Sequence, residues 1–343
     1  MTRICKVTIN GEVISAQRGD LLLDAALMNG IEIPHDCRSG YCGTCQVRVI
    51  AGRCFGAGQS DSDVVQACQT RVISDLTVIV EKVPEITELS GTIVNLVELA
   101  SDIVEVCIET RGSLDYLPGQ YLAVQFRGYP TRNYSPTVPL EPDIPDLIRF
   151  HVRRLPKSRV SSALGRKIKS GHRVKIMGPF GTAYLRANAP GRVVLVSSGT
   201  GFAPIWAIAE AAIKEKPKRQ LVLVAGARDL ESLYMIPALC RLALFPGVRI
   251  IPTVQTSQSI TTAVRFGPPI DYLPPLGSGD TVYAAGSPRL VQAVAHAAAA
   301  SGATCFSDPF LPATGGDDAA TLLSRTFGWL TPSAKSPRAA LYH

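Results

Sequence analysis

One short loop constrains this chain more than any other feature. Cys37-Arg38-Ser39-Gly40-Tyr41-Cys42-Gly43-Thr44-Cys45 has the form C-x4-C-x2-C, and Cys68 follows after a gap of 22 residues. Four thiolates can converge on two irons only if the backbone between the first three curls tightly. Gly40 and Gly43 permit that curl without a Cβ clash. The spacing is that of a [2Fe–2S] cluster, and the loop amides can then point at its sulfurs. Zinc sites favour a C-x2-C pair on each side, and there is no second pair. His35 is the one histidine nearby, whereas a Rieske centre needs two. The expected metal ligands are Cys37, Cys42, Cys45 and Cys68. Cys54 lies within the intervening stretch and rivals Cys68 for the fourth place. Val64 to Ala67 return to apolar, strand-like chain before Cys68, which favours it.

Cysteine usage and charge narrow the class. The chain has 343 residues, nine of them Cys. An odd count does not suit a pure disulfide framework, and clustered Cys in a reducing compartment signal metal or catalysis. The first residues, MTRICKVTING, alternate at once and contain no apolar signal region, so a cytoplasmic location is expected. No apolar run approaches the roughly 20 residues of a membrane span. The net charge of +7 is uneven: residues 1–84 carry −1, 85–189 carry +4 and 190–310 carry +3. Twelve Lys/Arg and no acid fall between Leu147 and Ala209. A run this one-sided suits phosphate groups. It does not read as a nucleic-acid footprint.

The hydrophobic rhythm divides the chain into three units and a tail. Residues 1–84 read as a small α+β domain. Asn10-Gly11 between alternating apolar residues predicts a hairpin, Asp20 is placed to cap a helix, and Gly30 to end it. Residues 84–89 read as a polar linker. Residues 90–189 read as a barrel of short strands at 92–96, 103–108, 121–126, 147–152 and 172–176, with one helix at 160–169. Residues 190–310 alternate strand and helix, which predicts a doubly wound parallel sheet. Helices are expected at 204–214, 233–244 and 288–300. Residues 311–343 read as a flexible tail.

Two further motifs carry chemistry. Arg132-Asn133-Tyr134-Ser135 follows Gly119-Gln120-Tyr121, near a barrel strand. An Arg suits a pyrophosphate, a Tyr can pack on a flavin, and a Ser hydroxyl can reach a flavin nitrogen. Gly199-Thr200-Gly201-Phe202-Ala203-Pro204 follows a buried strand and opens a helix. Its glycines let backbone approach a pyrophosphate at a helix N-terminus, although Pro204 stands where a dinucleotide fingerprint has its third Gly. Arg228 and Glu231, past the next strand, leave the choice of NADH or NADPH open.

Together these motifs resemble the single-chain reductase component of bacterial aromatic ring-hydroxylating dioxygenases. The resemblance covers residues 1 to about 310. It implies a multi-domain α+β and α/β protein: a β-grasp ferredoxin domain, a Greek-key FAD barrel and a parallel-sheet nicotinamide domain. It implies that Ser135 and Phe310 act at the flavin's reacting edge. It implies nucleotide contacts from Arg132, Tyr134, Ser135, His151, Val152, Arg153, Ser161, Gly178, Gly181, Gly199, Thr200, Gly201, Arg228, Gly286, Pro288 and Phe310. The implied cofactors are a [2Fe–2S] cluster, FAD and NADH or NADPH, and the implied partner is a separate oxygenase. Lys157-Ser158-Arg159 replaces the glycine pair common in the flavin loop, and Ala285 replaces a frequent Cys. The same electron chain could serve a soluble monooxygenase or a sugar-deoxygenation enzyme, or the chain could be a redox-sensing binding module.

Overall fold

The computed structural model describes residues 3–35, 38, 45–56, 64–80, 84–138, 146–186, 191–256 and 263–311. Cys37, Cys42 and the expected tail beyond Leu311 lie outside them.

The first unit is a five-stranded sheet crossed by a helix. Strands β1 (Ile4–Ile9), β2 (Glu12–Gln17), β3 (Gln46–Gly56), β4 (Val64–Gln66) and β5 (Thr70–Ile79) lie in the order β2-β1-β5-β3-β4. Asn10 at φ 50 and Gly11 at φ 92 turn the first hairpin, as Asn-Gly predicts. Helix α1 (Leu22–Met28) buries Leu22, Leu23, Ala25 and Ala26 against Val7, Ile9, Leu76 and Val78. Gly30 ends it at φ 77. Asp20 does not cap it. Its carboxylate accepts the Gln17 N–H at 2.8 Å and closes the turn out of β2, leaving Leu21 at the N-cap.

The second unit is a six-stranded antiparallel barrel. Strands β6 (Thr87–Ala100), β7 (Ile103–Thr110), β8 (Tyr121–Phe126), β9 (Arg132–Tyr134), β10 (Leu147–Arg153) and β11 (Arg173–Phe180) run β10-β7-β6-β11-β8-β9. A bridge from Pro136 to Phe150 and a 2.9 Å bond from Thr137 N–H to Arg149 O bring its ends together. Alternate residues such as Ile148, Phe150 and Val152 fill it. Strand β6 starts at Thr87, inside the stretch read as linker. The helix expected at 160–169 is one 3-10 turn at Ser161–Ala163. Gly165, left-handed at φ 80, breaks the run, and Leu164 bridges Ile168 instead.

The third unit is the doubly wound sheet. Strands β12 (Val193–Ser198), β13 (Leu221–Ala227), β14 (Val248–Val254), β15 (Arg265–Phe266), β16 (Thr281–Gly286) and β17 (Thr304–Pro309) are all parallel, in the order β15-β14-β13-β12-β16-β17. Val193 and Leu195 pack with helices α2 (Phe202–Glu215) and α3 (Ile236–Leu242) on one face. Val194 and Val196 pack with α4 (Pro288–Ala300) on the other. Coverage on both faces explains why β12 and β13 read as unbroken apolar runs. Helix α3 is shorter than expected because Pro237, which has no N–H to donate, sits in its first turn. The chain leaves β12 toward β13 on one side and later returns to β16 on the other. That reversal puts a ligand crevice at the carboxyl ends of β12 and β16.

Candidate functional site

The crevice at the reversal is lined by glycines at positions that disfavour a side chain. Gly199 begins the turn after β12 at φ 56. A Cβ on Gly201 would stand 2.3 Å from the Ala285 carbonyl oxygen. Gly286, at φ 123, faces Ser198 so closely that a Cβ would meet its Oγ at 2.5 Å. Bare backbone from two strands therefore meets at one spot, beside the start of α2. Thr200 is half-buried, and Pro288 lies exposed in the first turn of α4. This fits a dinucleotide pyrophosphate, which needs close backbone approach and free amides.

The barrel contributes to the same crevice. Arg153 projects from the end of β10, and its Nη1 would be 3.8 Å from a Cβ on Gly199. Asp102 accepts from Arg153 Nε at 2.8 Å and orients the guanidinium. Next to it His151 is buried in a polar clamp. Its Nδ1 is 3.1 Å from the Tyr234 hydroxyl and its Nε2 is 3.5 Å from Glu105 Oε2. Burial lowers the His151 pKa, and the hydrogen bond to His151 lowers that of Glu105. A neutral imidazole that donates to Glu105 and accepts from Tyr234 satisfies both. Trp206 and Phe202 of α2 extend the aromatic contact, with Trp206 5.9 Å from each of His151 and Phe202. His151 thus joins barrel to sheet, while the Val152 side chain lies in the barrel core and leaves only its backbone facing outward.

The arginine-tyrosine-serine motif forms β9 and the residue after it. Arg132 and Tyr134 are half-buried, and Ser135 is buried. Tyr134 leans on Phe150 at 6.0 Å, and burial pushes its phenol pKa up. Ser135 Oγ reaches Asp308 Oδ2 at 3.4 Å, so β17 comes back against β9. Burial raises the Asp308 carboxyl to about 7. Phe310 N–H donates to the Gly286 carbonyl at 2.7 Å, which holds the end of the described chain beside the nucleotide crevice. Ser135, Asp308, Phe310 and Gly286 therefore form one continuous edge, suited to a flat ring system between barrel and sheet.

Other expected contacts lie elsewhere in the barrel. Gly178 sits on β11, where a Cβ would meet Leu122 Cδ2 at 2.7 Å. Gly181, at φ 86, packs on the Tyr121 ring. Ser161 Oγ accepts the Leu155 N–H at 3.1 Å and so shapes the loop after β10. Arg228 lies past β13 and is paired with Asp229 at 3.0 Å. Sequence reasoning missed Asp102, Asp308, Tyr234 and Trp206. Asp308 lies two positions before the expected Phe310, but its apposition to Ser135 is tertiary.

At the cysteine centre the described residues bring Cys45 and Cys68 together. Both are buried, and the Cys68 N–H points at Cys45 Sγ at 3.4 Å. Gln69 Nε2 donates to the Arg38 carbonyl at 3.0 Å, tying the cluster loop to the Cys68 turn. Arg38 itself pairs with Asp24 of α1. Cys54 is buried within β3, opposite Val72. Two inward thiols with an aimed amide suit an iron–sulfur centre.

A glycine crevice, a flavin-type barrel and a converging cysteine pair define an iron–sulfur flavoprotein oxidoreductase driven by a nicotinamide. Comparisons with known proteins agree. A 2Fe-2S iron-sulfur cluster binding domain is matched at residues 7–72, an oxidoreductase FAD-binding domain at 92–184 and an oxidoreductase NAD-binding domain at 195–296. The chain is 30% identical over 302 residues to the ferredoxin–NAD(P)+ reductase component of the naphthalene 1,2-dioxygenase system of Pseudomonas putida, covering 83% of this chain and 90% of that one. It is 30% identical over 302 residues to terephthalate 1,2-dioxygenase reductase component 1 of Comamonas sp, covering 83% and 89%. Among solved structures, the Amycolatopsis cytochrome P450 reductase GcoB has a TM-score of 0.65 at 27% identity, covering 90% of this chain and 100% of that chain. The chain belongs to the family of ferredoxin–NAD(P)+ reductase components of aromatic dioxygenase systems. Its cofactors are a [2Fe–2S] cluster, FAD and NAD(P)H. Among the described residues no helix is long and apolar enough to cross a membrane.

Proposed function

We propose that this protein draws electrons from NAD(P)H in the cytoplasm and delivers them to the oxygenase component of an aromatic ring-hydroxylating dioxygenase. The working units are the ferredoxin domain 1–84, the flavin barrel 90–189 and the nicotinamide domain 190–310. The observation that carries the reading is the shared edge where Ser135, Asp308 and Phe310 meet Gly286. It puts the flavin motif and the nucleotide crevice side by side, as direct hydride transfer requires.

When bound, FAD supplies the conversion between a two-electron hydride donor and a one-electron acceptor such as a [2Fe–2S] cluster. The residues do the rest. Arg132 would neutralise the flavin pyrophosphate, and Tyr134 would pack against the ring. Ser135 would present its hydroxyl to the reacting edge, with Asp308 behind it to take or return a proton. Gly199, Thr200 and Gly201 would offer backbone amides to the dinucleotide, and Arg153 would close on its phosphates. Gly286 and Pro288 would border the nicotinamide, and Phe310 would lie against the flavin and keep water from the crevice. Cys37, Cys42, Cys45 and Cys68 would hold the cluster.

The test is steady-state turnover of the reconstituted holoprotein with the oxygenase component of an aromatic ring-hydroxylating dioxygenase. NAD(P)H oxidation coupled to hydroxylated product supports the reading. Fast cytochrome c or ferricyanide reduction with no coupling to such an oxygenase points to another acceptor. No NAD(P)H-driven reduction of any acceptor rejects it.

A further inference from the structure

We propose that the His151 side chain is a positioning group and not a nucleotide ligand: with Tyr234 it latches the helix that carries the nucleotide turn onto the flavin barrel, and so sets how the nicotinamide meets the flavin. The inference rests on the reading that the Gly199 turn holds the dinucleotide and that the barrel holds the flavin.

The whole imidazole is occupied by protein. It is buried, with 3% of the side chain exposed. A neutral imidazole has one donor and one acceptor nitrogen. Nε2 faces Glu105 Oε2 at 3.5 Å, and Nδ1 faces the Tyr234 hydroxyl at 3.1 Å. The Trp206 ring lies against it at 5.9 Å with 30° between the planes, and the Tyr234 ring meets it edge-on at 5.1 Å and 87°. No polar atom of the ring is left for a flavin or a nicotinamide.

On the barrel side the ring is anchored. His151 of β10 lies directly opposite Glu105 of β7 in the strand ladder. Glu105 Oε1 accepts from Cys107 Sγ at 3.7 Å, so the carboxylate is held at both oxygens. The hydrogen bond from His151 lowers the Glu105 pKa, so the carboxylate stays charged. A fixed carboxylate on Nε2 keeps the proton there and leaves Nδ1 to accept from the hydroxyl.

On the sheet side the grip falls on the nucleotide turn itself. Helix α2 starts at Phe202, directly after Gly201. Trp206, one turn on, stacks on Phe202 at 5.9 Å, and Tyr234 meets Phe202 edge-on at 6.3 Å. Trp206 is held in turn, because its Nε1–H donates to Glu210 Oε1 at 2.9 Å and Arg241 lies over its ring at 5.2 Å. The notch that receives His151 is therefore built from Tyr234 and the first turns of α2. In the barrel, His151 stands two positions before Arg153, the residue beside Gly199. A sheet that shifts at His151 also shifts the Gly199 turn relative to β10. Transfer between two held rings is steep in their separation, and a misplacement of about 1 Å can cost roughly 100-fold in rate. The Ser135–Asp308 contact crosses the same boundary, but both of its residues are assigned to the flavin's reacting edge. His151 and Tyr234 govern geometry alone.

The experiment is anaerobic stopped-flow reduction of the flavin by NADH in the holoenzyme, with the limiting rate and the apparent NADH Kd read separately. Tyr234→Phe removes the hydroxyl and keeps the ring edge. His151→Leu keeps bulk and removes the polar atoms. Each is expected to lower the limiting rate by roughly 5–50-fold, with Kd within about threefold of the wild type. The double variant should fall no further than His151→Leu alone, because both substitutions break one joint. Acrylamide quenching of Trp206 fluorescence, in a Trp329→Phe background, is expected to rise in Tyr234→Phe as the joint loosens. A raised Kd at an unchanged limiting rate overturns the proposal, since it makes the pair a binding group. So does loss of FAD from His151→Leu, which returns His151 to the flavin, and so do additive losses in the double variant. If His151→Leu does not fold, Tyr234→Phe decides alone, and an unchanged rate with unchanged quenching overturns the latch. A wild type whose flavin NADH does not reduce overturns the underlying reading and the proposal together, whereas a reducible wild type with unaltered variants overturns the latch only.

Discussion

Ser135 Oγ donates to Asp308 Oδ2 across 3.4 Å and so links the flavin motif of the barrel to the last strand of the nicotinamide sheet. The two residues are 173 positions apart in sequence. Burial raises the Asp308 carboxyl from 3.8 to about 7, and the bond from Ser135 only partly offsets this. The folded protein therefore holds a proton that the unfolded chain gives up between about pH 4 and pH 7. Stability contributed by that proton is complete below pH 4 and is lost as pH rises through 7. Asp308→Asn should flatten the fall in Tm between pH 5.5 and pH 8, as read by thermal unfolding of the holoprotein. An unaltered slope would show that Asp308 is ionised throughout.

Arg153 gives a kinetic prediction. Its guanidinium is fixed by Asp102 and lies beside Gly199 of the nucleotide turn. Loss of a hydrogen bond to a charged group costs about 1.5–3 kcal/mol. Arg153→Ala should raise the NADH KM by roughly 10–100-fold, read on holoprotein of matched FAD content. Asp102→Asn should do the same more weakly, since it only loosens the arginine.

The fourth cluster ligand can be decided by replacement. Cys68 and Cys45 are neighbours, whereas Cys54 is paired into β3 opposite Val72. Cys68→Ser should lose the cluster's visible absorbance and its iron. Cys54→Ser should keep both and lower stability by about 1 kcal/mol, the usual scale for a small change in a core. The reverse pattern would exchange the two roles.

Much of this was legible in the sequence because local chemistry decided it. Asn10-Gly11 could turn only one way, and Gly199 and Gly201 stand where bare backbone is required. The apolar runs of β12 and β13 announced a sheet covered on both faces. What could not be read depended on distant chain. Asp308, Tyr234 and Trp206 gain their roles from apposition to Ser135 and His151. The helix expected at 160–169 had an apolar pattern, but Gly165 in a left-handed turn overrode it. Asp20 looked like a cap and instead closes the preceding turn.

The central claim is that electrons from the nicotinamide crevice reach the cluster within one chain. Anaerobic titration of the holoprotein with NADH, followed by flavin absorbance and by electron paramagnetic resonance, tests it most directly. Internal transfer predicts that the flavin bleaches and that a reduced [2Fe–2S] signal grows in the same titration, integrating toward one spin per chain. A flavin that bleaches fully while the cluster stays oxidised and silent would contradict it.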